Sequence, residues 1–256
     1  MSEATRKRLR WLYAPYTWLV FIPFLAATTI SFGLVAMLLA FVAPRAAFHF
    51  GTVWSWLLCR VNFTRVRMEG RENAAPGQSY VIMSNHQSHF DILAFYGHWG
   101  RQFRWVIKKE LRNIPGLGWY CSAGGHIFID RSDREKAIES MRAARPRLQG
   151  GVSVMIFPEG TRSRDGRMRE FKKGGFMMAR DLELPILPVS ISGSRHVLPG
   201  KTLWLLPGTI RIRIHPPIDP AAYGEDRDRL MADVRATIAS GLTPFERGET
   251  PSDTQA

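Results

Sequence analysis

No charged residue occurs between Trp11 and Ala43, and this run restricts the possible folds of the chain more than any other sequence feature. Residues 24–43 alone supply the roughly 20 residues that a helix needs to cross a bilayer. The apolar core of a cleaved signal peptide has only about 7–15 residues and ends at a small-residue cleavage site, which is not evident here. The run therefore predicts a membrane helix rather than a signal peptide.

A second, shorter apolar segment follows at residues 46–58. At about 1.5 Å per residue it reaches only about 20 Å, less than a hydrocarbon core about 30 Å thick. Basic residues flank the whole region, four within residues 1–10 and three within residues 60–67. Because positive charge marks the cytoplasmic side, we expect a membrane-embedded helical hairpin with both ends on the cytoplasmic face of the inner membrane. The hairpin is either buried in one leaflet or dips deeper. A single span that places the remaining chain outside is the alternative.

The composition suits one globular domain with an accessory segment, since 45% of the 256 residues are hydrophobic. The net charge of +13 indicates an anionic partner, which can be nucleic acid, a membrane surface or a phosphorylated substrate. The basic residues are scattered and accompany no known binding motif, so we expect no nucleic-acid partner. Cys59 and Cys121 provide neither a disulfide framework nor a zinc-ligand pair, which favours a reducing compartment.

From residue 65 onward, short β-type runs alternate with helical patterns, as in an α/β domain with a mixed, largely parallel sheet flanked by helices. The domain organisation is predicted as membrane-anchoring helices at 1–60, the α/β domain at 61–245 and a disordered tail at 246–256. Strands are predicted near residues 64–69, 79–84, 103–107, 126–129, 152–157, 186–192 and 209–214. Helices are predicted near residues 89–97, 133–148, 174–182 and 225–241.

The stretch from Ser84 to Asp91 reads S-N-H-Q-S-H-F-D and connects an apolar strand to a helix. If residues 86–91 were all helical, His86 and Asp91 would lie about 140° apart around the axis, too far to meet. A turn that keeps His86 outside the helix lets the Asp91 carboxylate hold one imidazole nitrogen and leaves the other as a general base. Alternatively, Ser88 and Asp91 form a capping box, and Asp91 only satisfies backbone donors.

A second polar stretch, F-P-E-G-T-R-S at residues 157–163, directly follows the apolar run 152–156. Gly160 permits close backbone approach to a ligand, and Arg162 can hold a phosphate in a bidentate fork. Taken in isolation, the stretch is better explained as a surface turn in which Glu159 and Arg162 are solvated.

A third stretch, G-H-I-F-I-D-R at residues 125–131, also ends a strand in charged side chains. Arg131 beside a helix start can bind an anion, and a local salt bridge is the simpler alternative. His86 and His89 lack the glutamate and the third ligand of a zinc site, so no metal is predicted. No G-x-S-x-G occurs, so a serine nucleophile elbow is not supported.

The order of these blocks resembles that of the glycerophospholipid acyltransferases, most closely the bacterial 1-acyl-sn-glycerol-3-phosphate acyltransferases. The segment K-x-E-L-x-x-I-P-x-x-G at 108–118 is also similar to that family, and the resemblance covers roughly residues 60–220. The four blocks are N-H-x-x-x-x-D at 85–91, F-I-D-R at 128–131, F-P-E-G-T-R at 157–162 and L-P-V-S-I at 187–191.

This resemblance implies that His86 is the general base for the hydroxyl of a lysophospholipid and that Asp91 orients it. The hydroxyl attacks the thioester carbonyl of acyl-CoA or an acyl carrier protein directly, with no further cofactor. The acceptor's phosphate is assigned to Lys108, Arg131 and Arg162.

The same resemblance makes Glu159 a structural or acceptor-positioning group and counts Gly160 and Thr161 with the substrate-binding residues. It places Pro188 near the acyl donor. Backbone N–H groups of the turn at residues 86–91 are expected to hold the oxyanion.

The implied product is phosphatidic acid, formed from 1-acyl-sn-glycerol-3-phosphate. The lysolipid stays in the bilayer because its acyl chain is buried there, so the bilayer is itself a partner and the hairpin brings the site to the substrate. An acyltransferase for another lysolipid, such as a lyso-ornithine lipid, is one alternative. A non-catalytic, membrane-tethered binding protein is the other.

Overall fold

The computed structural model of the chain describes residues 3–114, 117–130, 133–200 and 202–249. Seven strands in these ranges form one sheet in the order β1-β7-β6-β2-β5-β3-β4. Neighbouring strands run parallel except for β6 and β7, which are antiparallel. The strands are β1 (Thr64–Glu69), β2 (Val81–Ser84), β3 (Phe103–Lys108), β4 (Ile127–Ile129), β5 (Ser153–Ile156), β6 (Ile186–Ser192) and β7 (Gly208–Ile214).

Helices cover both faces of this sheet. They are α1 (Glu3–Tyr16), α2 (Ile22–Val42), α3 (Pro44–Val61), α4 (His89–Trp99), α5 (Leu117–Ala123), α6 (Arg134–Ala144), α7 (Gly174–Leu182), α8 (Ser194–Val197), α9 (Arg227–Ser240) and α10 (Pro244–Arg247). One apolar cluster joins the sheet to α3 and α4, and a second joins its other face to α6, α7 and α9. Every residue of β2, β5 and β6 is buried, as expected for strands covered on both faces.

The predicted α/β class is confirmed, and each predicted strand and helix of the domain is present with its ends shifted by a few residues. α6 ends at Ala144 rather than near residue 148, because Pro146 has no N–H to continue the helix. α9 begins at Arg227 because the Asp226 side chain caps it, accepting from the Arg229 N–H at 3.0 Å. The short helices α5, α8 and α10 are not evident from the sequence patterns.

The N-terminal helices form the predicted hairpin. α1, a π-helical turn at Thr17–Phe21 and α2 continue without a break, so that Thr5–Val42 is one helix of 38 residues, long and apolar enough to cross a membrane. The chain reverses at Ala43, whose φ of −145° and ψ of 71° are not helical. α3 then packs antiparallel on α2, and the Trp54 indole donates to the Thr28 hydroxyl across the hairpin at 3.2 Å.

The C-terminal prediction needs a correction, because the residues from 246 to 249 belong to the folded domain. Glu246 is buried in α10, which begins with a capping box. Its carboxylate accepts from the Ser192 hydroxyl at 2.6 Å and from the Gly193 N–H at 3.0 Å, both at the end of β6. The tail predicted from residue 246 therefore begins no earlier than residue 250, and residues 250–256 lie outside the described ranges.

Glu246→Ala is expected to lower the free energy of unfolding by about 2–4 kcal/mol, because it leaves buried donors at Ser192 and Gly193 without an acceptor. Chemical denaturation of the detergent-solubilised protein measures the change. Glu225→Ala is the matched control, since this exposed carboxylate pairs with Arg180 at the surface and should contribute less than about 1 kcal/mol. Equal effects of the two substitutions would contradict the role assigned to Glu246.

Candidate active site

The polar stretches with the clearest motifs follow neighbouring strands of the sheet. His86 comes after β2 and residues 159–162 come after β5, and these two strands pair in parallel. Lys108 ends β3, which pairs with β5 on its other side. Because the carboxyl ends of parallel strands meet at one edge of a sheet, all of these residues line a single cavity of about 1200 Å³.

His86 and Asp91 meet at the start of α4. The Nδ1 atom of His86 lies 2.8 Å from Oδ2 of Asp91, and the two side chains are 11% and 0% exposed. The same oxygen accepts from the backbone N–H groups of Gln87 at 2.7 Å and Ser88 at 2.8 Å. Since a carboxylate accepts hydrogen bonds, Nδ1 carries the imidazole proton and Nε2 keeps its lone pair.

Both interpretations of the S-N-H-Q-S-H-F-D stretch hold together. Ser88 has extended backbone angles, φ −148° and ψ 159°, and its hydroxyl accepts from the Phe90 N–H at 3.1 Å as the N-cap of α4. Asp91 completes the capping box by accepting from the Ser88 N–H. The extended cap keeps His86 outside the helix, so the carboxylate that caps the helix also reaches the imidazole.

Aromatic side chains hold the plane of the His86 ring. The ring stacks on Phe157 with 3.8 Å between centroids and 10° between planes. Trp105 lies on Phe157 in turn, at 6.0 Å and 24°. This stack leaves His86 little rotational freedom, so the direction of its Nε2 atom is set before a substrate binds.

Glu159 joins the two motif stretches. Its Oε1 atom accepts from the His86 N–H at 2.6 Å, and its Oε2 atom accepts from the Arg169 N–H at 3.1 Å. The Ser163 N–H donates to the His86 carbonyl at 2.8 Å, so the backbone of His86 is held on both sides. The carboxyl is 2% exposed, and its burial raises the pKa of Glu159 to about 7. The interpretation of Glu159 as a solvated turn residue is therefore wrong.

The rest of the E-G-T-R block faces the cavity. Gly160 has a φ of 74°, in the left-handed region that favours glycine. The Thr161 hydroxyl accepts from the Arg169 guanidinium at 2.9 Å. Arg162 is half-buried at the cavity wall, and after burial its charge is the next cause that lowers the pKa of His89. Arg162 therefore lies close to the first turn of α4 and to His86.

The described residues add cations that motif analysis missed. Arg164, Arg169 and Lys172 line the same cavity as Lys108 and Arg162, and we call these five residues the cationic rim. A count of charges would have found them, because six of the residues between 162 and 173 are arginine or lysine. Arg131, which was predicted to bind the acceptor's phosphate, lies outside the described residues. Its neighbour Asp130 lines the cavity and pairs with Lys109.

The remaining wall of the cavity is apolar. It lies between the sheet and helices α6 and α7, where Gly174 and Gly175 leave room at the start of α7. No group of three metal-binding side chains occurs within the described ranges. The apolar wall consists of Trp105, Val106, Ile107, Leu111, Ile129, Met141, Met155, Ile156, Met177 and Met178.

Pro188 lies elsewhere. It is buried inside β6, opposite Met83 of β2, and its carbonyl accepts from the His215 N–H at 3.0 Å. It is not among the described residues that line the cavity. Its predicted contact with the acyl donor therefore has no support from this geometry, which gives Pro188 a place within the sheet instead.

Sequence comparisons identify relatives of this chain. A 1-acyl-sn-glycerol-3-phosphate acyltransferase of Chlamydomonas reinhardtii is 34% identical over 203 residues, which are 78% of this chain and 60% of that protein. The human 1-acyl-sn-glycerol-3-phosphate acyltransferase alpha is 34% identical over 170 residues, 66% of this chain and 60% of that protein. The chain thus spans about three fifths of the length of these curated relatives.

A solved structure matches over nearly the whole chain. The crystal structure of the 1-acyl-sn-glycerophosphate acyltransferase PlsC from Thermotoga maritima superposes with a TM-score of 0.74 and 30% sequence identity, covering 92% of this chain and 95% of that one. The acyltransferase family model matches residues 65–192, half of this chain. That segment contains the His86–Asp91 pair and the E-G-T-R block, and the chain belongs to the acyltransferase family.

Proposed function

We propose that the protein transfers a fatty acyl group from an acyl thioester to the sn-2 hydroxyl of 1-acyl-sn-glycerol-3-phosphate, giving phosphatidic acid. The observation that carries this proposal is the position of His86 and Asp91 between a cationic rim and an apolar wall of one cavity. The rim suits the acceptor's phosphate. The apolar wall suits an acyl chain, whose burial contributes about 0.8 kcal/mol per methylene.

The reaction needs one base and no covalent acyl-enzyme. The Nε2 atom of His86 takes the proton of the sn-2 hydroxyl while the hydroxyl oxygen attacks the thioester carbonyl carbon. Asp91, hydrogen-bonded to Nδ1, stabilises the imidazolium that forms. When the tetrahedral intermediate collapses, the carbon–sulfur bond breaks and the leaving thiolate receives the proton from His86.

Only part of the turn at 86–91 can supply the donors that the oxyanion of that intermediate needs. The N–H groups of Gln87 and Ser88 already donate to Asp91, and that of His86 donates to Glu159. Two carboxylates thus use these three donors, and neither of them accepts from the His89 N–H at the start of α4. Positive charge on the cationic rim is the alternative source of oxyanion stabilisation.

Arg162 is the rim residue best suited to the acceptor's phosphate. None of the ion pairs formed by the described residues involves it, although it is half-buried beside the base. A phosphomonoester dianion needs several cations, because each charge-assisted contact contributes only about 1.5–3 kcal/mol. Lys108 at the end of β3 lines the same cavity and supplies a second cation.

Arg162→Lys is expected to raise the KM for 1-acyl-sn-glycerol-3-phosphate by about tenfold or more and to change the KM for the acyl donor far less. Lysine keeps the charge but cannot form the bidentate fork that arginine forms with phosphate. Steady-state kinetics with each substrate varied separately measures the difference. Arg167→Lys is the control, because this exposed arginine of the same loop stacks on Phe245 and does not line the cavity.

A panel of lysolipids, each offered with acyl-CoA and with acyl carrier protein thioesters, tests the acceptor and the donor together when products are identified by mass. Acylation of 1-acyl-sn-glycerol-3-phosphate is the expected result. The lyso-ornithine lipid alternative would be favoured by two results together. Arg162→Lys would change the KM values of both substrates by small and equal amounts, and the protein would acylate a lysolipid that has no phosphate. No acyl transfer to any lysolipid would favour the binding protein.

The proposal also places the hairpin in the cytoplasmic leaflet, with the cavity at headgroup level. Large apolar side chains on α1 and α2 are exposed and suit contact with lipid. Arg45 lies at the turn between α2 and α3, where a hairpin that dipped deep into the bilayer would bury its charge at high cost. The exposed apolar residues include Trp11, Leu12, Trp18, Leu19, Ile30, Leu34, Leu38, Phe41 and Val42.

Cysteines introduced at Lys7 and at Arg65, both exposed and on either side of the hairpin, are expected to have the same accessibility. A membrane-impermeant maleimide should label both in inverted membrane vesicles and neither in intact cells, since positive charge favours the cytoplasmic side. The native Cys59 and Cys121 are buried, so unsubstituted protein provides the background. Opposite accessibility of the two sites would reject the hairpin arrangement and favour a single span.

A further inference from the structure

A second cleft lies at the other edge of the sheet, away from the cavity that contains His86. It has a volume of about 440 Å³ and lies where the loops before β2, β3 and β5 meet the start of α3. Because these three strands run parallel, the cleft is at their amino ends and the candidate active site is at their carboxyl ends. Its lining residues are Arg45, Pro76, Gly77, Arg101, Gln102, Gln149, Gly150, Gly151 and Val152.

The charge of this cleft is unbalanced. Two arginines line it, and none of the described lining residues is a carboxylate. Arg45 is exposed and takes part in none of the ion pairs formed by the described residues. Arg101 donates one hydrogen bond to the Ala75 carbonyl at 2.9 Å and lies over the Trp99 ring at 5.7 Å. That anchoring orients the Arg101 guanidinium while leaving most of its N–H groups for another acceptor.

The cleft also has room and neutral donors. Nothing lies within 4 Å of the position that a Cβ atom would occupy at Gly77 or at Gly150, so the floor of the cleft is open there. The side-chain amides of Gln102 and Gln149 add hydrogen-bonding groups without adding charge. Two guanidinium groups with amide neighbours are typical of a site for a phosphate-bearing anion.

The surroundings indicate where such an anion would come from. Arg45 is the only arginine, lysine, aspartate or glutamate between Trp11 and Cys59. It lies in the first turn of α3, three residues after the end of α2, where Phe41 is 71% exposed and Val42 is 81% exposed. An arginine beside an exposed apolar helix end is placed as at a membrane boundary, where basic pockets bind the headgroups of anionic lipids.

We infer that this cleft binds the phosphate-bearing headgroup of an anionic phospholipid. Arg45 and Arg101 contact the phosphate, and the apolar end of α2 contacts the acyl chains of the same lipid. The inference uses the proposed membrane contact of the hairpin but not the acyltransfer reaction. A bound lipid here would hold the hairpin turn at headgroup level, at the opposite edge of the sheet from His86.

Ligand-induced thermal stabilisation of the full-length protein in a nonionic detergent tests the site. Dihexanoyl-phosphatidylglycerol is expected to raise the melting temperature in a concentration-dependent way, because a ligand that binds only the folded state stabilises it by mass action. Dihexanoyl-phosphatidylcholine, which is zwitterionic, and inorganic phosphate serve as comparison ligands. The double variant Arg45→Gln, Arg101→Gln is expected to weaken the apparent affinity for phosphatidylglycerol by at least about tenfold.

Two controls separate this site from bulk charge and from the catalytic cavity. The double variant Arg65→Gln, Arg211→Gln removes the same net charge from exposed positions on β1 and β7 and should keep the wild-type response. Arg162→Gln should also keep it, since Arg162 lines the other cavity. Loss of the phosphatidylglycerol response in the Arg162→Gln variant would place the lipid in the catalytic cavity and overturn the inference.

The remaining outcomes are equally decisive. An unchanged response in the Arg45, Arg101 double variant would overturn the inference. Stabilisation by inorganic phosphate equal to that by phosphatidylglycerol would assign the cleft to a free phosphate and reject the lipid. A double variant with normal lipid binding but a raised KM for acyl carrier protein thioesters would assign the cleft to an acidic protein partner instead. None of these three results depends on the identity of the acyl acceptor.

Discussion

Replacing His86 by alanine is expected to lower kcat by about 10²- to 10⁴-fold, the usual contribution of a positioned general base. The fold should persist, because the imidazole lies at the wall of an open cavity rather than in the apolar core. Steady-state kinetics of the purified variant measures the loss of turnover, and its melting temperature checks the fold. A near wild-type rate in a folded His86→Ala protein would refute the mechanism.

Two further variants separate the role of the base from its surroundings. Asp91→Asn should also reduce kcat strongly, because an amide cannot stabilise the imidazolium as a carboxylate does. His89→Ala should change kcat far less, since His89 lines the same cavity but is exposed and is not the histidine bonded to Asp91. Equal losses in His86→Ala and His89→Ala would indicate a general disturbance of the site rather than loss of a base.

Glu159→Ala is expected to affect activity and stability together. The substitution leaves the buried N–H group of His86 and the part-buried N–H group of Arg169 without their acceptor, which costs about 2–4 kcal/mol of unfolding free energy. It also frees the backbone of the base, and loss of orientation should lower kcat by more than about tenfold. Denaturant unfolding and kinetics measure both effects. Glu170→Ala, an exposed carboxylate of the same loop, should change neither, and a similar loss there would reject the bridging role.

The pH dependence of stability provides a separate test of Glu159. Burial raises the pKa of this carboxyl from 4.5 to about 7, so the folded protein holds the proton more tightly than the unfolded chain does. The resulting stabilisation is fully present below pH 4.5 and is lost as the pH rises to about 7. Wild-type protein should therefore lose stability relative to Glu159→Gln across that window. If the unfolding free energies of the two proteins changed in parallel with pH, the raised pKa of Glu159 would be contradicted.

Secondary structure in the α/β domain follows from local patterns. The seven residues of β6 are buried throughout, and the corresponding run in the sequence is almost wholly apolar between turn residues. The His86–Asp91 pair is also a local feature, because a five-residue separation across a helix start allows the contact by simple geometry. The hairpin followed likewise from the two apolar runs and from the break between them.

Contacts between distant segments could not be derived in the same way. The hydrogen bond from the His86 N–H to Glu159 joins residues 73 positions apart, and an isolated E-G-T-R is more simply a surface turn. Glu246 shows the same problem, because a short polar segment near the chain end looks disordered until its acceptor role at Ser192 is known. The oxyanion donors were assigned too broadly, since Glu159 and Asp91 use the N–H groups of His86, Gln87 and Ser88.

Local sequence patterns were enough to predict the strands, the helices, the hairpin and the histidine–aspartate pair, and the order of the blocks indicated the family. These depend on periodicity and on residues a few positions apart, so physical rules of short range apply to them. Three features became visible only in the folded protein: Glu159 accepts from the His86 N–H, the cationic rim and the apolar wall share one cavity, and Arg45 and Arg101 line one cleft. Those contacts depend on which strands become neighbours in the sheet, and strand order is set by the packing of the whole domain.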